Sequence, residues 1–182
     1  VDMNNVEFKA WPKIPRGILG NVVITEKMDG TNACIIIEGD KVVGVQSRKR
    51  LITPEDDNYG FAGWVGRNNE ELLKLGEGYH YGEWVGLGIQ KNPHCFTEKR
   101  FFLFNTLRWG DHNPSTPDCC SVVRKLYQGI YSEGVIDETM NLLKRTSELA
   151  DYSAEGVVVY FPKLDAMEKY TFEYSKGKWL GK

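Results

Sequence analysis

Two β-branched runs, Val22-Val23-Ile24-Thr25 and Ala33-Cys34-Ile35-Ile36-Ile37-Glu38, flank the stretch Glu26-Lys27-Met28-Asp29-Gly30-Thr31-Asn32. Runs of this kind favour strands. Asp-Gly between them is a hairpin signal. Lys27, at the mouth of that turn, is either an exposed surface charge or an amine held at a strand end for chemistry. Glu38-Gly39-Asp40-Lys41 then turns the chain into Val42-Val43-Gly44-Val45-Gln46-Ser47. The opening is therefore expected to be an antiparallel meander.

The remainder alternates short elements. Trp11-Pro12-Lys13-Ile14-Pro15 argues against helix before the first strand. After Pro54-Glu55-Asp56-Asp57-Asn58, a helical stretch runs through Trp64 and Val65, and Glu70 to Leu75 forms a second short helix ended by Gly76. Tyr79 to Val85 and Arg100 to Leu107 have strand character, and residues 110 to 117 are loop. A helix is expected from about Pro117, with Val122, Val123, Leu126 and Tyr127 on its inner face. Another covers Ile136 to Leu149, and Val157 to Phe161 and Lys169 to Tyr174 return to strand. Strands outnumber helices, which predicts an α+β fold of mostly antiparallel sheets with inserted helices.

A chain of 182 residues, 41% hydrophobic and 12% aromatic, is enough for one globular domain. It contains no apolar run of membrane-spanning length and no basic-then-apolar leader, so a soluble, cytoplasmic protein without a membrane partner is expected. Cys34, Cys95, Cys119 and Cys120 form no Cys-x-x-Cys pair, and the alternative cluster of His112 with Cys119-Cys120 is a poor zinc pattern. Reduced structural thiols are the better account. The net charge of −2 does not announce a nucleic-acid binder. Local runs do more: Arg48-Lys49-Arg50 is compactly basic, and Lys169, Lys176, Lys178 and Lys182 load the C-terminal segment.

No glycine-rich phosphate cradle or dinucleotide fingerprint is present. A nucleotide would have to be held by side chains on a sheet. Attack by a lysine on a phosphate needs the neutral amine, yet at a pKa of about 10.4 only about one in two or three thousand is neutral at pH 7. Burial and a neighbouring cation lower that pKa. Carboxylates are then needed to hold a metal and a ribose, and Glu83 and Glu155, in Tyr81-Gly82-Glu83-Trp84-Val85-Gly86 and Glu155-Gly156-Val157-Val158-Val159-Tyr160, suit that duty. Seen alone, each is better read as an exposed strand-end glutamate.

Taken together, Lys27-Met28-Asp29-Gly30 and the segments around Glu83 and Glu155 resemble motifs I, III and IV of the covalent nucleotidyltransferases, the ATP-dependent ligases and RNA capping enzymes. The run Glu26-Lys27-x-x-Gly30-Thr31-Asn32, the apolar strand after it and the Arg48 segment resemble the phage-type RNA ligases that seal breaks in duplex RNA. The resemblance spans residues 8 to 178. It implies a nucleotidyltransferase (ATP-grasp-like) fold and one catalytic domain over residues 1 to 182. It implies ATP and Mg²⁺, or Mn²⁺ in its place, as cofactors. Lys27 would be the nucleophile that forms lysyl-adenylate. Glu26, Asn32, Arg48, Glu83, Phe104, Glu155, Lys169 and Lys178 would contact the nucleotide, with Glu155 and Glu83 tied to metal. Phe104 would stack on adenine; a core phenylalanine is the alternative. Arg48 would also meet phosphate, and Asn32 would help pass adenylate to the RNA end.

Three positions depart from the family pattern. Asn105 stands where relatives usually carry aspartate. Asp29 replaces a histidine of the closest RNA ligases. Thr171 occupies the place of a second motif V lysine after Lys169, for which Lys178 is the alternative. The implied activity is ligation of RNA ends or nicked duplex, with a DNA nick ligase, a non-catalytic nucleic-acid-binding module and an α+β domain with chance motifs as the alternatives. A chain ending near motif V would lack a substrate-binding domain and would be a minimal ligase or one needing an end-recognition partner.

Overall fold

A computed structural model describes residues 20–110 and 113–172. The N-terminal segment around Trp11, His112, and Lys176, Lys178 and Lys182 lie outside them. Two sheets carry the fold. In the first, the strand order is β7 (Lys125–Ile130), β1 (Asn21–Glu26), β8 (Gly156–Phe161), β9 (Ala166–Thr171). In the second it is β3 (Lys41–Ser47), β2 (Thr31–Glu38), β4 (Gly78–Gly86), β5 (Lys99–Leu103), β6 (Cys120–Val122). The pairings are antiparallel apart from β5 with β6. The structure is α+β with mostly antiparallel sheets, as the element pattern predicts.

The expected opening meander is corrected. β1 and β2 belong to different sheets, and residues 27–30 carry the chain from one to the other. The reason is burial on both flanks. β1 is an interior strand between β7 and β8, while β2 is interior between β3 and β4. Ile35, Ile37 and Ala33 on one face of β2, and Cys34 and Ile36 on the other, are all buried, as a continuous apolar run requires. Only β2 and β3 form the anticipated hairpin, turning at Gly39 with φ +59°.

The helix expected from Pro117 is also corrected: β6 and β7 replace it. The spacing of Val122, Val123, Leu126 and Tyr127 fits one helical face, but pairing decides the outcome. Residues 125–130 complete the first sheet along β1, and residues 120–122 lie beside β5. The strand expected to reach Leu107 ends at Leu103, and α3 (Thr106–Trp109) follows. Asn105 Oδ1 accepts the Arg108 backbone N–H at 3.1 Å and so caps that turn.

Each sheet has its own core. In the second, Ile35, Ile37, Trp84, Phe101 and Leu103 pack on Phe61 and Val65 of α1 (Phe61–Arg67) and on Leu72 of α2 (Asn69–Leu72). In the first, Val22, Ile24, Val157 and Val159 pack on Ile136, Met140 and Leu143 of α4 (Glu133–Leu149), whose spacing was readable as helical. A third cluster of Met28, Val85 and Val123, joined by Phe96 and Phe102, lies where the chain crosses between sheets. It underpins the segment that carries Lys27. Among the described residues no helix is long and apolar enough to cross a membrane.

Candidate active site

Lys27 follows the last residue of β1, and its backbone N–H donates to the Gly156 carbonyl at 2.9 Å. That bond fixes the start of the crossing segment against the start of β8. Two glycines make the geometry possible. A Cβ on Gly30 would overlap the Trp84 carbonyl and the Val85 side chain, so the chain can pass over β4 only with glycine there. A Cβ on Gly156 would overlap the Tyr170 carbonyl and so part β8 from β9. Asp29-Gly30 therefore marks a close backbone approach rather than a hairpin turn.

The Lys27 Nζ donates a hydrogen bond to Glu155 Oε1, joining residues 128 apart in sequence. The pair is partly screened from water, with side chains 23% and 26% exposed. Glu155 Oε2 is buried and has no hydrogen-bond partner. Glu83, on β4, faces the same charges. Its carboxyl is pushed up to about 7, chiefly by burial and also by Glu155 and Asp29, against the pull of Lys27 and Lys169. Asp29 Oδ2 in turn accepts the Lys91 backbone N–H at 3.2 Å.

Register places the other expected residues. Glu83 lies directly across from Asn32 on β2 and from Phe102 on β5. Arg48 is exposed and follows Ser47, the last residue of β3, which pairs with Ala33. Lys169 on β9 is opposite Val158, which is opposite Thr25. Phe104 follows β5, with its N–H on the Tyr81 carbonyl at 3.1 Å, and the residue is 39% exposed. It is thus an accessible ring and not part of a core. The fold draws Lys27, Asp29, Glu83, Glu155 and Lys169 into one electrostatic group, with Asn32 beside it. Arg48 stands at the end of the edge strand β3 and Phe104 at the end of the interior strand β5, and Lys178 lies outside the described residues.

Glu26 is placed differently. It is 3% exposed, and Val157, across from it, belongs to the core under α4. The Tyr152 hydroxyl donates to Glu26 Oε1 at 2.7 Å, and His94 Nε2 lies 2.6 Å from Oε2. Since a carboxylate only accepts, His94 donates there. Burial and the bond to Glu26 push the Tyr152 hydroxyl well above the ordinary tyrosine range. No motif singled out His94 or Tyr152. They come from two loops, and the available clue was indirect: a buried carboxylate at position 26 must find donors somewhere.

Among the described residues no three His, Cys, Asp or Glu side chains converge as a ready-made cage. The partnerless Glu155 Oε2 is nonetheless an acceptor of the kind a hard cation takes. Mg²⁺ is commonly bound through one or two carboxylates, with phosphates and water completing its shell. The residues present fit that mode of binding.

The sequence matches the RNA ligase family over residues 20–171. The chain belongs to the RNA ligase family. Three mutant structures of Naegleria gruberi RNA ligase share its fold. The apo form superposes with a TM-score of 0.61 at 18% identity, covering 85% of this chain and 50% of that one. A form with ATP and Mn gives 0.60 at 19% identity, covering 82% and 49%. A form with AMP and Mn gives 0.61 at 18% identity, covering 85% and 50%. The chain spans about half the length of these solved relatives. No curated protein sequence matches significantly. For a member of this family the fold agrees with the sheet architecture that motifs I, III and IV imply.

Proposed function

We propose that the chain joins RNA ends at the expense of ATP, with Lys27 as the nucleophile. The observation that carries this reading is the bond from Lys27 Nζ to Glu155, with Glu83 and Lys169 acting on the same group of charges. In the first step the Lys27 ammonium gives up a proton, and Glu155 Oε1 is its hydrogen-bonded acceptor. The neutral amine attacks the α-phosphorus of ATP. An N–P bond forms, the bond to pyrophosphate breaks, and pyrophosphate leaves with the electron pair. The nitrogen's second proton is lost, leaving lysyl-adenylate. An RNA 5′-phosphate oxygen then takes the AMP and frees the amine. Finally a 3′-hydroxyl attacks the activated 5′-phosphorus and AMP departs.

A divalent cation, Mg²⁺ or Mn²⁺, held by Glu155 and Glu83, supplies compensation for the charge on the phosphates. Lys169 adds positive charge from the first sheet, and Arg48 from the flank of the second. Phe104 offers an accessible ring for adenine, with stacking worth about 1–3 kcal/mol. Asn32, across from Glu83 in the strand register, would meet the same ligand. Nicked duplex RNA is the expected substrate. An enzyme that consumes ATP and acts on RNA works where both are present, which makes the cytoplasm its expected compartment.

The test is covalent labelling. With Mg²⁺ and ATP carrying label on the α-phosphate, the denatured wild-type chain should retain label. GTP should label it much less, and Lys27→Ala should take none. A wild-type chain without label overturns the proposal. Sealing of nicked RNA, compared with nicked DNA, then identifies the polynucleotide.

A further inference from the structure

The segment carrying Lys27 is held from two sides by loops that share one buried carboxylate. Tyr152 and His94 each occupy one oxygen of Glu26. The two rings also touch each other, with centroids 4.1 Å apart, and His94 stacks on Phe96 at 5.2 Å with planes 11° apart. The Arg124 carbonyl accepts the Glu26 backbone N–H at 2.9 Å, and the Arg124 side chain acts on Tyr152. The direction of the Glu26 carboxylate is therefore set as well as its burial.

These contacts close a ring through the reacting group. Glu26 is bonded to Lys27 by the backbone, and Lys27 Nζ to Glu155 by the ion pair. Glu155 lies three residues beyond Tyr152. The Tyr152 hydroxyl returns to Glu26. The loop holding His94 adds a second attachment, because its Lys91 N–H donates to Asp29, on the far side of Lys27. One loop thus grips both flanks of the nucleophile, and the other carries the carboxylate that faces it.

We infer that Glu26, Tyr152 and His94 are positioning residues that aim the Lys27 amine and the Glu155 carboxylate at the reacting phosphate. The inference rests on the ligase reading. It gives the Glu26 side chain a role in orientation in place of the direct nucleotide contact expected from the sequence. A loose aim slows the chemical step, and a misplacement of about 1 Å can cost about 100-fold. ATP affinity, which other side chains provide, stays as it was.

The experiment measures the rate of label retention against ATP concentration, together with thermal unfolding. Tyr152→Phe removes only the hydroxyl and keeps the ring. His94→Ala removes the donor, whereas His94→Gln restores one. Tyr152→Phe and His94→Ala should lower the rate at saturating ATP by about 10- to 100-fold, with the half-saturating concentration unchanged within about twofold. His94→Gln should recover most of the rate lost in His94→Ala. Wild-type rates in both Tyr152→Phe and His94→Ala overturn the inference. So does a rise in half-saturating ATP at unchanged maximal rate, which would mean nucleotide contact. A rate loss that tracks a loss of melting temperature and is not recovered in His94→Gln also overturns it. A wild-type chain that takes no label sinks the ligase reading itself, an outcome seen before any variant is made.

Discussion

Glu83 concentrates the electrostatic conflict of the site in one carboxyl. Its proton affinity is raised to about 7 from an ordinary 4.5, first by burial and then by Glu155 and Asp29. An acid with a raised folded-state pKa binds more protons folded than unfolded across that interval. Its contribution to stability is full below the unfolded value and is lost as pH rises through the folded one. The ligand-free protein should therefore lose about 1–3 kcal/mol of stability between about pH 4.5 and 8 through this group. Glu83→Gln should flatten that part of the profile in thermal unfolding scans. An identical pH slope in wild type and Glu83→Gln would show that the carboxyl titrates normally.

At the scale of elements, the short helix α3 shows how a departure from the family pattern is absorbed. Asn105 accepts the Arg108 N–H, the task of an N-cap, and asparagine and aspartate perform it about equally. Asn105→Asp should leave the melting temperature nearly unchanged, while Asn105→Ala should cost about 1 kcal/mol in denaturant unfolding. Unchanged stability in Asn105→Ala would mean that the cap contributes nothing. Much at this scale was legible in advance. The strands flanking Lys27, the helix face of Ile136, Met140 and Leu143, and the short helices before Gly76 follow from periodicity and breakers alone. The segments around Leu126 and the Asp29-Gly30 turn were misread for one shared reason. Their state depends on which strand lies beside them, and a local window contains no partner. The site shows the same division. Lys27, Glu83 and Glu155 stand in short motifs, while His94 and Tyr152 become visible only when the fold brings two loops to Glu26.

At the scale of the whole molecule, the site is divided between two sheets with separate cores. Lys27, Glu155 and Lys169 come from the first sheet and its borders, and Asn32, Glu83 and Phe104 from the second. A nucleotide touching both groups would couple the two bodies. Adding ATP should slow amide hydrogen exchange in β8 and in β4 alike, since local opening of either would then break ligand contacts. Protection confined to one sheet would place the nucleotide elsewhere.

The span of 128 residues between the amine and its carboxylate also orders events during synthesis. The ribosome releases Lys27 128 residues ahead of Glu155, so while that stretch is made the lysine lacks the carboxylate it is bonded to in the fold. On the ligase reading, reactivity toward a nucleotide is thus withheld from the nascent chain until Glu155 and β8 have been made.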